Sequence, residues 1–136
     1  MITKAHQILN ELVTETKRMK TGEPPRAMKI LGIQAELIEV YVGLGMEMNM
    51  QFSAKEQAYL QRKVAMSNSH LASREKKMTV KDSEMTSIVD AWDQYAEEIE
   101  ASSKYENYRT LLRAVDKGIE HARSVVSFLK TSEANA

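Results

Sequence analysis

The residues of this chain best suited to chemistry are seven cations that lie between positions 53 and 81. Two glutamates oppose them, so this basic segment has a net charge of +5. Lysine and arginine neutralise phosphates, and nearby aromatic rings such as Phe52 and Tyr59 can stack on unpaired bases. The combination predicts a surface that binds single-stranded DNA. The predicted DNA-binding residues are Lys55, Arg62, Lys63, Arg74, Lys76, Lys77 and Lys81.

The following segment carries the opposite charge. Residues 82–106 contain eight acidic residues and one base, Lys104, a net charge of −7. One interpretation is that the two segments pack antiparallel and complement each other. The other is that the basic face meets a polyanion while the acidic face meets another protein. The sequence leaves both interpretations open.

No arrangement of residues indicates catalysis or metal binding. His6, His70 and His121 lie far apart, and none has the glutamate spacing of a zinc or di-iron site. The chain has no cysteine, which excludes a thiolate nucleophile, a disulfide and a cysteine-ligated metal. Phosphate-binding loops and nucleophile-elbow motifs are also absent. We therefore expect no enzymatic activity, no metal and no cofactor.

The elements that position these residues are organised around one stripe near the C-terminus. Its apolar residues recur at alternating steps of three and four, so an α-helix places them on one narrow line. We call this line the seam; such a seam needs a partner helix, from the same chain or from another subunit. The seam residues are Tyr105, Tyr108, Leu112, Val115, Ile119, Ala122, Val126 and Leu129.

The remaining chain also predicts helices, because only two prolines and five glycines interrupt it. A first helix is predicted over residues 3–20, followed by a break at Thr21–Pro25. A second helix begins near Arg26, a turn lies between residues 76 and 81, and the last helix runs from Asp82 towards Lys130. The predicted fold is all-α: a long antiparallel helical hairpin or coiled-coil-like bundle with an additional N-terminal helix.

The break suggests a division into an N-terminal helix or arm, residues 1–22, and a hairpin or bundle domain, residues 26–136. The N-terminal helix could then act as a mobile arm or a docking element. A chain of this length corresponds to about one domain.

Two capping signals and one heptad irregularity predict where helices start, bend or break. Ser53 with Glu56 resembles a capping box, which indicates a new helix, a kink or one continuous helix. Thr79 with Asp82 indicates the start of the last helix. The heptad slips near residues 102–103, where the coil is either overwound or broken.

Two further apolar stripes lie in the charged segments. The one in the basic segment is diluted by serine and arginine, so we expect loose packing and partial exposure. Its residues are Leu60, Val64, Ser67, Leu71, Arg74 and Met78. The stripe in the acidic segment consists of Ile88, Trp92, Tyr95 and Ile99.

The sequence has no feature that directs it to a membrane or out of the cell. It lacks the apolar core of a signal peptide, and no apolar run approaches the roughly 20 residues of a membrane span. The absence of disulfides fits a reducing compartment. We therefore expect a cytoplasmic protein with no membrane contact.

The order of segments resembles the phage recombination mediators of the UvsY type. The resemblance covers about residues 55–136 and rests on the basic helix Leu60–Met66, on the run Lys81–Met85 after the turn, and on the closing seam. After Met66 that family has further basic residues, where this chain has serine, asparagine and serine at positions 67–69.

The resemblance implies a ring-like homo-oligomer that binds single-stranded DNA. Such a protein helps to load a RecA-type recombinase where a single-strand-binding protein must be displaced, in the host cytoplasm if phage-encoded. Arg62 and Lys63 match basic positions of the family's DNA-contacting helix. The alternative function is a helical adaptor or inhibitor that binds proteins alone, with Trp92 or Tyr95 on the acidic helix as its contact face.

Overall fold

The computed structural model describes residues 1–134, which form four α-helices and one 3-10 turn. The elements are α1 (Ile2–Lys17), the 3-10 turn (Arg18–Thr21), α2 (Ala27–Glu75), α3 (Val80–Asp90) and α4 (Trp92–Ala134). No β-strand occurs among these residues, so the predicted all-α class is confirmed. Within this range no helix has the length and apolarity that crossing a membrane requires.

The break after the first helix forms as predicted. Gly22 adopts a left-handed conformation with φ of 81°, which glycine reaches without a steric penalty. The amide of Glu23 donates to the carbonyl of Arg18 at 3.0 Å and closes the turn. Two prolines follow, and α2 begins two residues later.

The second helix is continuous for 49 residues. It passes through Ser53 and Glu56 without interruption, so of the three predicted alternatives the single long helix is the observed one. The second capping signal is confirmed, because the Thr79 hydroxyl accepts a hydrogen bond from the Asp82 amide at 3.2 Å.

The helical region after the turn is interrupted at Ala91, a position that the sequence did not indicate. Ala91 has φ of −95° and ψ of 11°, and its side chain is fully buried. Ser69 donates a hydrogen bond of 2.7 Å to the carboxylate of Asp90, directly before this residue. A break at residues 102–103 was one of two predicted alternatives and is wrong, because α4 continues through them.

The chain divides into two compact units. Unit 1 consists of Met1–Glu47 and Tyr108–Ala136, and unit 2 of Met48–Asn107. These boundaries differ from the predicted division into residues 1–22 and 26–136, because α1 packs inside unit 1.

Unit 1 is a three-helix arrangement with a continuous apolar core. Helix α1, for which the sequence suggested an arm or a docking element, contributes Ala5, Ile8 and Leu12. From α2 come Ile30, Ile33, Leu37, Val40 and Leu44, and from α4 Leu111, Val115, Ile119, Ala122, Val125, Val126 and Leu129. Gly118 permits the close approach of α1, since a Cβ there would lie 2.8 Å from the Leu9 methyl carbon.

The C-terminal seam is largely covered by helices of its own chain. Its residues from Val115 to Leu129 are buried in the core of unit 1, and Tyr108 and Leu112 are half-buried beside it. Tyr105 belongs to unit 2, where its ring centroid lies 5.6 Å from that of Phe52. Of the two ways to cover the seam, folding back within the chain is therefore the observed one.

A buried carboxylate joins α1 to the start of α2. Glu15 is 4% exposed, and its Oε1 accepts hydrogen bonds from the backbone amide and the Nε of Arg26, at 2.9 and 3.3 Å. The hydrogen bonds from the Arg26 side chain and amide hold the pKa of Glu15 below its ordinary value, against the opposing effect of burial.

This contact predicts an acid-sensitive contribution to stability. Because the pKa of Glu15 is lower in the folded state, its contribution is present above the unfolded pKa of about 4.5 and is lost as the pH falls through the folded value. We expect Glu15→Gln to lower the free energy of unfolding at about pH 7, with a difference from wild type that shrinks as the pH falls below about 4.5. Urea denaturation followed by circular dichroism at several pH values measures this.

Glu23→Gln is the matched control. Glu23 pairs with Arg18 at 3.1 Å, but its side chain is 66% exposed, so its removal should change stability by no more than about 0.5 kcal/mol. A destabilisation by Glu15→Gln that does not vary with pH would contradict the prediction.

Candidate functional site

The basic and acidic segments pair as an antiparallel hairpin, which is unit 2. Five contacts join the two sides, and the residue number falls on one side as it rises on the other. They are Phe52 with Tyr105, Arg62 with Glu98, Met66 with Tyr95, Ser69 with Asp90, and His70 with Ser83. The antiparallel packing of the two segments is therefore observed.

The interior of this hairpin consists of small side chains. The buried residues of unit 2 are Ala58, Ser69, Ser73, Ser87 and Ala91. Small residues let two helices approach closely, but they remove little apolar area from water. The large apolar side chains of unit 2 therefore do not form its interior.

Arg62 is the central polar contact inside the hairpin. Its guanidinium pairs with the carboxylate of Glu98, and the two side chains are only 13% and 22% exposed. The guanidinium carbon also lies 5.1 Å from the ring centroid of Tyr59 and 4.8 Å from that of Tyr95. The hydrogen bond to Glu98 is the main cause that raises the pKa of Arg62. Its charge is thus engaged within the hairpin.

Two other predicted DNA-binding cations lie over aromatic rings. The half-buried Lys55 has its Nζ 5.0 Å from the ring centroid of Tyr105. The exposed Lys63 has its Nζ 5.5 Å from the ring centroid of Tyr59. Both ammonium groups are within the range of a cation–π contact. Lys63 and Tyr59 together present a charge and an aromatic face to solvent.

The remaining four predicted cations surround the turn of the hairpin. Arg74 lies in the last turn of α2, Lys76 and Lys77 lie in the turn, and Lys81 lies in the first turn of α3. All four are exposed, and within residues 1–134 none forms an ion pair. We call these four residues the turn cluster. Their charges are available to a ligand.

Lys77 is the residue that follows the C-cap of α2, a position at which glycine is common. Its φ is +54°, the one positive φ outside glycine in the described chain. The amide of Lys77 donates to the Arg74 carbonyl at 3.0 Å, and that of Met78 to the Ser73 carbonyl at 3.1 Å. This is the Schellman pattern, whose left-handed residue costs a side chain about 1 kcal/mol. This chain has lysine there in spite of that cost.

Large apolar side chains cover the outside of unit 2. In the basic segment Leu60, Val64 and Leu71 are 58–60% exposed, and Met78 is 37% exposed. In the acidic segment Met85, Ile88, Trp92 and Ile99 are 44–66% exposed. The stripe predicted to be partly exposed is thus open to water, and of the second predicted stripe only Tyr95 turns towards the hairpin interior.

One serine–histidine pair occurs in the hairpin. His70 Nδ1 lies 2.9 Å from Ser83 Oγ and links α2 to α3. No carboxylate orients the ring among the hydrogen bonds recorded for the described residues, so the third member of a catalytic triad is missing there. Within residues 1–134 no group of three or more potential metal ligands occurs. The pair is best understood as a contact that holds the hairpin.

Comparison with protein-family models, with curated protein sequences and with solved structures finds no match to this chain.

The structure separates the seven predicted cations into two groups that sequence reasoning treated alike. Arg62 and Lys55 face aromatic or acidic groups inside the hairpin, whereas Lys63 and the turn cluster face water. Arg62 lies four residues after the buried Ala58, so both residues are on the side of α2 that faces the hairpin interior. The left-handed conformation of Lys77 had no sequence signal, because glycine is the residue that would have indicated it.

The conformation of Lys77 yields a prediction about stability. Lys77→Gly should raise the free energy of unfolding by up to about 1 kcal/mol, because glycine removes the steric cost of the left-handed conformation. The control is Lys76→Gly, which removes the same charge without relieving a positive φ and should lower stability by about 0.5–1 kcal/mol. Urea denaturation measures the free energy of unfolding of both variants. Equal effects of the two substitutions would contradict the view that the left-handed conformation of Lys77 costs stability.

Proposed function

We propose that this chain is a non-enzymatic mediator of phage-type recombination, which binds single-stranded DNA as a homo-oligomer and assists the loading of a RecA-type recombinase. The observation that carries the proposal is the turn cluster: four exposed cations within eight residues, without ion pairs in the described chain. The resemblance of residues 55–136 to the UvsY-type mediators supplies the biological role.

The turn cluster and the neighbouring aromatic rings suit a ligand with a charged backbone and unpaired bases. The turn cluster offers point charges for phosphates, and phosphate contacts supply most of the affinity in binding that does not depend on sequence. Tyr59 is 39% exposed and lies beside Lys63, and Phe52 is 45% exposed. Exposed rings of this kind can stack on unpaired bases of any sequence.

The strained position of Lys77 favours a functional role for its charge. Helices that end in this way generally have glycine at the left-handed residue. A lysine at that position is less stable than glycine, and an outlier of this kind is consistent with a functional role for the ammonium group. Lysine at position 77 thereby adds a cation at the tip of the turn.

The proposal predicts salt-dependent binding to a long oligothymidylate, measured by fluorescence anisotropy. If the four cations each contact a phosphate, the slope of log affinity against log salt should be about −3 for each subunit engaged. The double variant Lys76→Ala, Lys77→Ala should make the slope of log affinity against log salt shallower by about 1.4. It should also weaken binding to every DNA sequence tested.

The matched control is Lys117→Ala with Lys130→Ala, which removes two exposed lysines of unit 1 and should bind as wild type does. Lys77→Gly separates folding from binding, since it should be more stable and yet bind more weakly. Absence of binding at low salt, or equal weakening by the control variant, would overturn the proposal.

The alternative function, a helical adaptor or inhibitor without nucleic-acid binding, is favoured by the exposure of Trp92. Its side chain is 66% exposed at the start of α4, next to the exposed acid Asp93. Tryptophan is enriched among the residues that dominate protein–protein interfaces. An acidic helix with an exposed indole ring suits a basic protein partner.

This alternative predicts that a pull-down with the immobilised chain captures a basic protein after nuclease treatment, and that Trp92→Ala abolishes the capture. The control Val13→Ala alters another exposed apolar residue and should leave the capture of the basic protein unchanged. Capture that disappears with nuclease would exclude the adaptor function.

A further inference from the structure

Unit 2 carries two stripes of exposed apolar side chains. The first follows the three-four spacing of coiled-coil contacts along α2, and the second runs across the interruption at Ala91. The first, on α2, consists of Leu60, Val64, Leu71 and Met78, with Ser67 and Arg74 at the intervening positions; we call it the basic stripe. The second, on α3 and α4, consists of Met85, Ile88, Trp92 and Ile99; we call it the acidic stripe. Every apolar member of both stripes is at least 37% exposed.

Stripes of this kind normally have a helix packed on them. Heptad spacing places apolar residues on one line of a helix, and a second helix can receive that line in its grooves. Within unit 1 the corresponding positions of α4, from Val115 to Leu129, are buried by other helices of the chain. The hairpin contacts of unit 2 instead use Ala58, Ser69, Ser73, Ser87 and Ala91. The two stripes therefore remain without partners inside unit 2.

Charge indicates which partner fits each stripe. The basic stripe lies in a segment of net charge +5, and the acidic stripe in a segment of net charge −7. Pairing a stripe with its own kind would bring like charges together, whereas pairing the two kinds brings opposite charges together. The chain thus contains a complementary surface for each of its stripes.

Shape gives a second reason to pair the two stripes. A surface cavity of about 550 Å³ lies between α2 and α3 and is lined in part by Leu71, Arg74 and Met78 of the basic stripe. Trp92 is the largest exposed apolar side chain of the acidic stripe, at 66% exposure. An aromatic anchor on one surface and a pocket on the other are typical of the centres of protein interfaces.

We propose that the basic stripe of one copy packs against the acidic stripe of a second copy. The inference rests on the homo-oligomeric part of the proposed function and names its contact surface. Because the two surfaces differ, the contact is head-to-tail, and each added copy leaves one stripe free until the assembly closes.

Complementary variants test this arrangement. Leu60→Gln with Leu71→Gln removes the basic stripe, and Trp92→Gln with Ile99→Gln removes the acidic stripe. These side chains are exposed, so both double variants should keep the wild-type circular dichroism spectrum and melting temperature. Sedimentation velocity should show wild type as an assembly and each double variant as a 15.4 kDa monomer.

An equimolar mixture of the two variants gives the deciding result. Each copy then retains the one stripe that the other lacks, so the mixture should form a species of twice the monomer mass and nothing larger. The control Val13→Gln with Phe128→Gln alters exposed apolar residues of unit 1 and should keep the wild-type mass. A mixture that remains monomeric, or a single double variant that still assembles, would overturn the pairing of unlike stripes.

Anisotropy measurements on the same samples separate this inference from the proposed function. A monomeric wild-type protein that binds oligothymidylate with the expected salt dependence would refute the stripe contact while the DNA-binding proposal stands. An assembly that behaves as described but ignores the oligonucleotide would refute DNA binding while the contact stands. A wild-type monomer whose stripes are covered only by a different protein would also refute the inference.

Discussion

A heptad stripe of apolar residues gains stability in water when another helix covers it, and the two units differ in whether their own helices supply that cover. In unit 1, α1 and α2 supply the cover, and the positions from Val115 to Leu129 are buried. The tight contact of α1 with α4 depends on Gly118, where any side chain would meet Leu9. Unit 2 also has apolar stripes, but its two sides contact each other through small residues. Its large apolar side chains therefore remain on the outside.

The hairpin is held by specific contacts instead of by a large apolar core. The pairing of Arg62 with Glu98, flanked by two tyrosine rings, places a charge in a site with little solvent. Breaking such a pair is more costly than its net contribution to stability suggests, because the remaining charge has no partner. Such contacts specify which residues face each other along the hairpin. They leave the outer surface free to serve binding.

Sequence reasoning was most successful where periodicity and turn chemistry act locally. The helical class, the break at Gly22, the turn near residue 77 and the cap at Thr79 all follow from short patterns. The interruption at Ala91 has no proline or glycine to indicate it, and Asp90 directly before it accepts a hydrogen bond from Ser69 across the hairpin. Likewise, charge counting could not separate Arg62 from the turn cluster, because the difference lies in which side of α2 faces the partner helix.

The two proposed activities of unit 2 depend on each other through avidity. Four cations on one copy contact few phosphates, and a chain of zero net charge has no net attraction to a polyanion that would strengthen that contact. When stripes of unlike charge join several copies, one strand can engage several turn clusters, and the later contacts form at a high effective concentration. Assembly would therefore increase the number of phosphates that one strand offers to the protein at the same time.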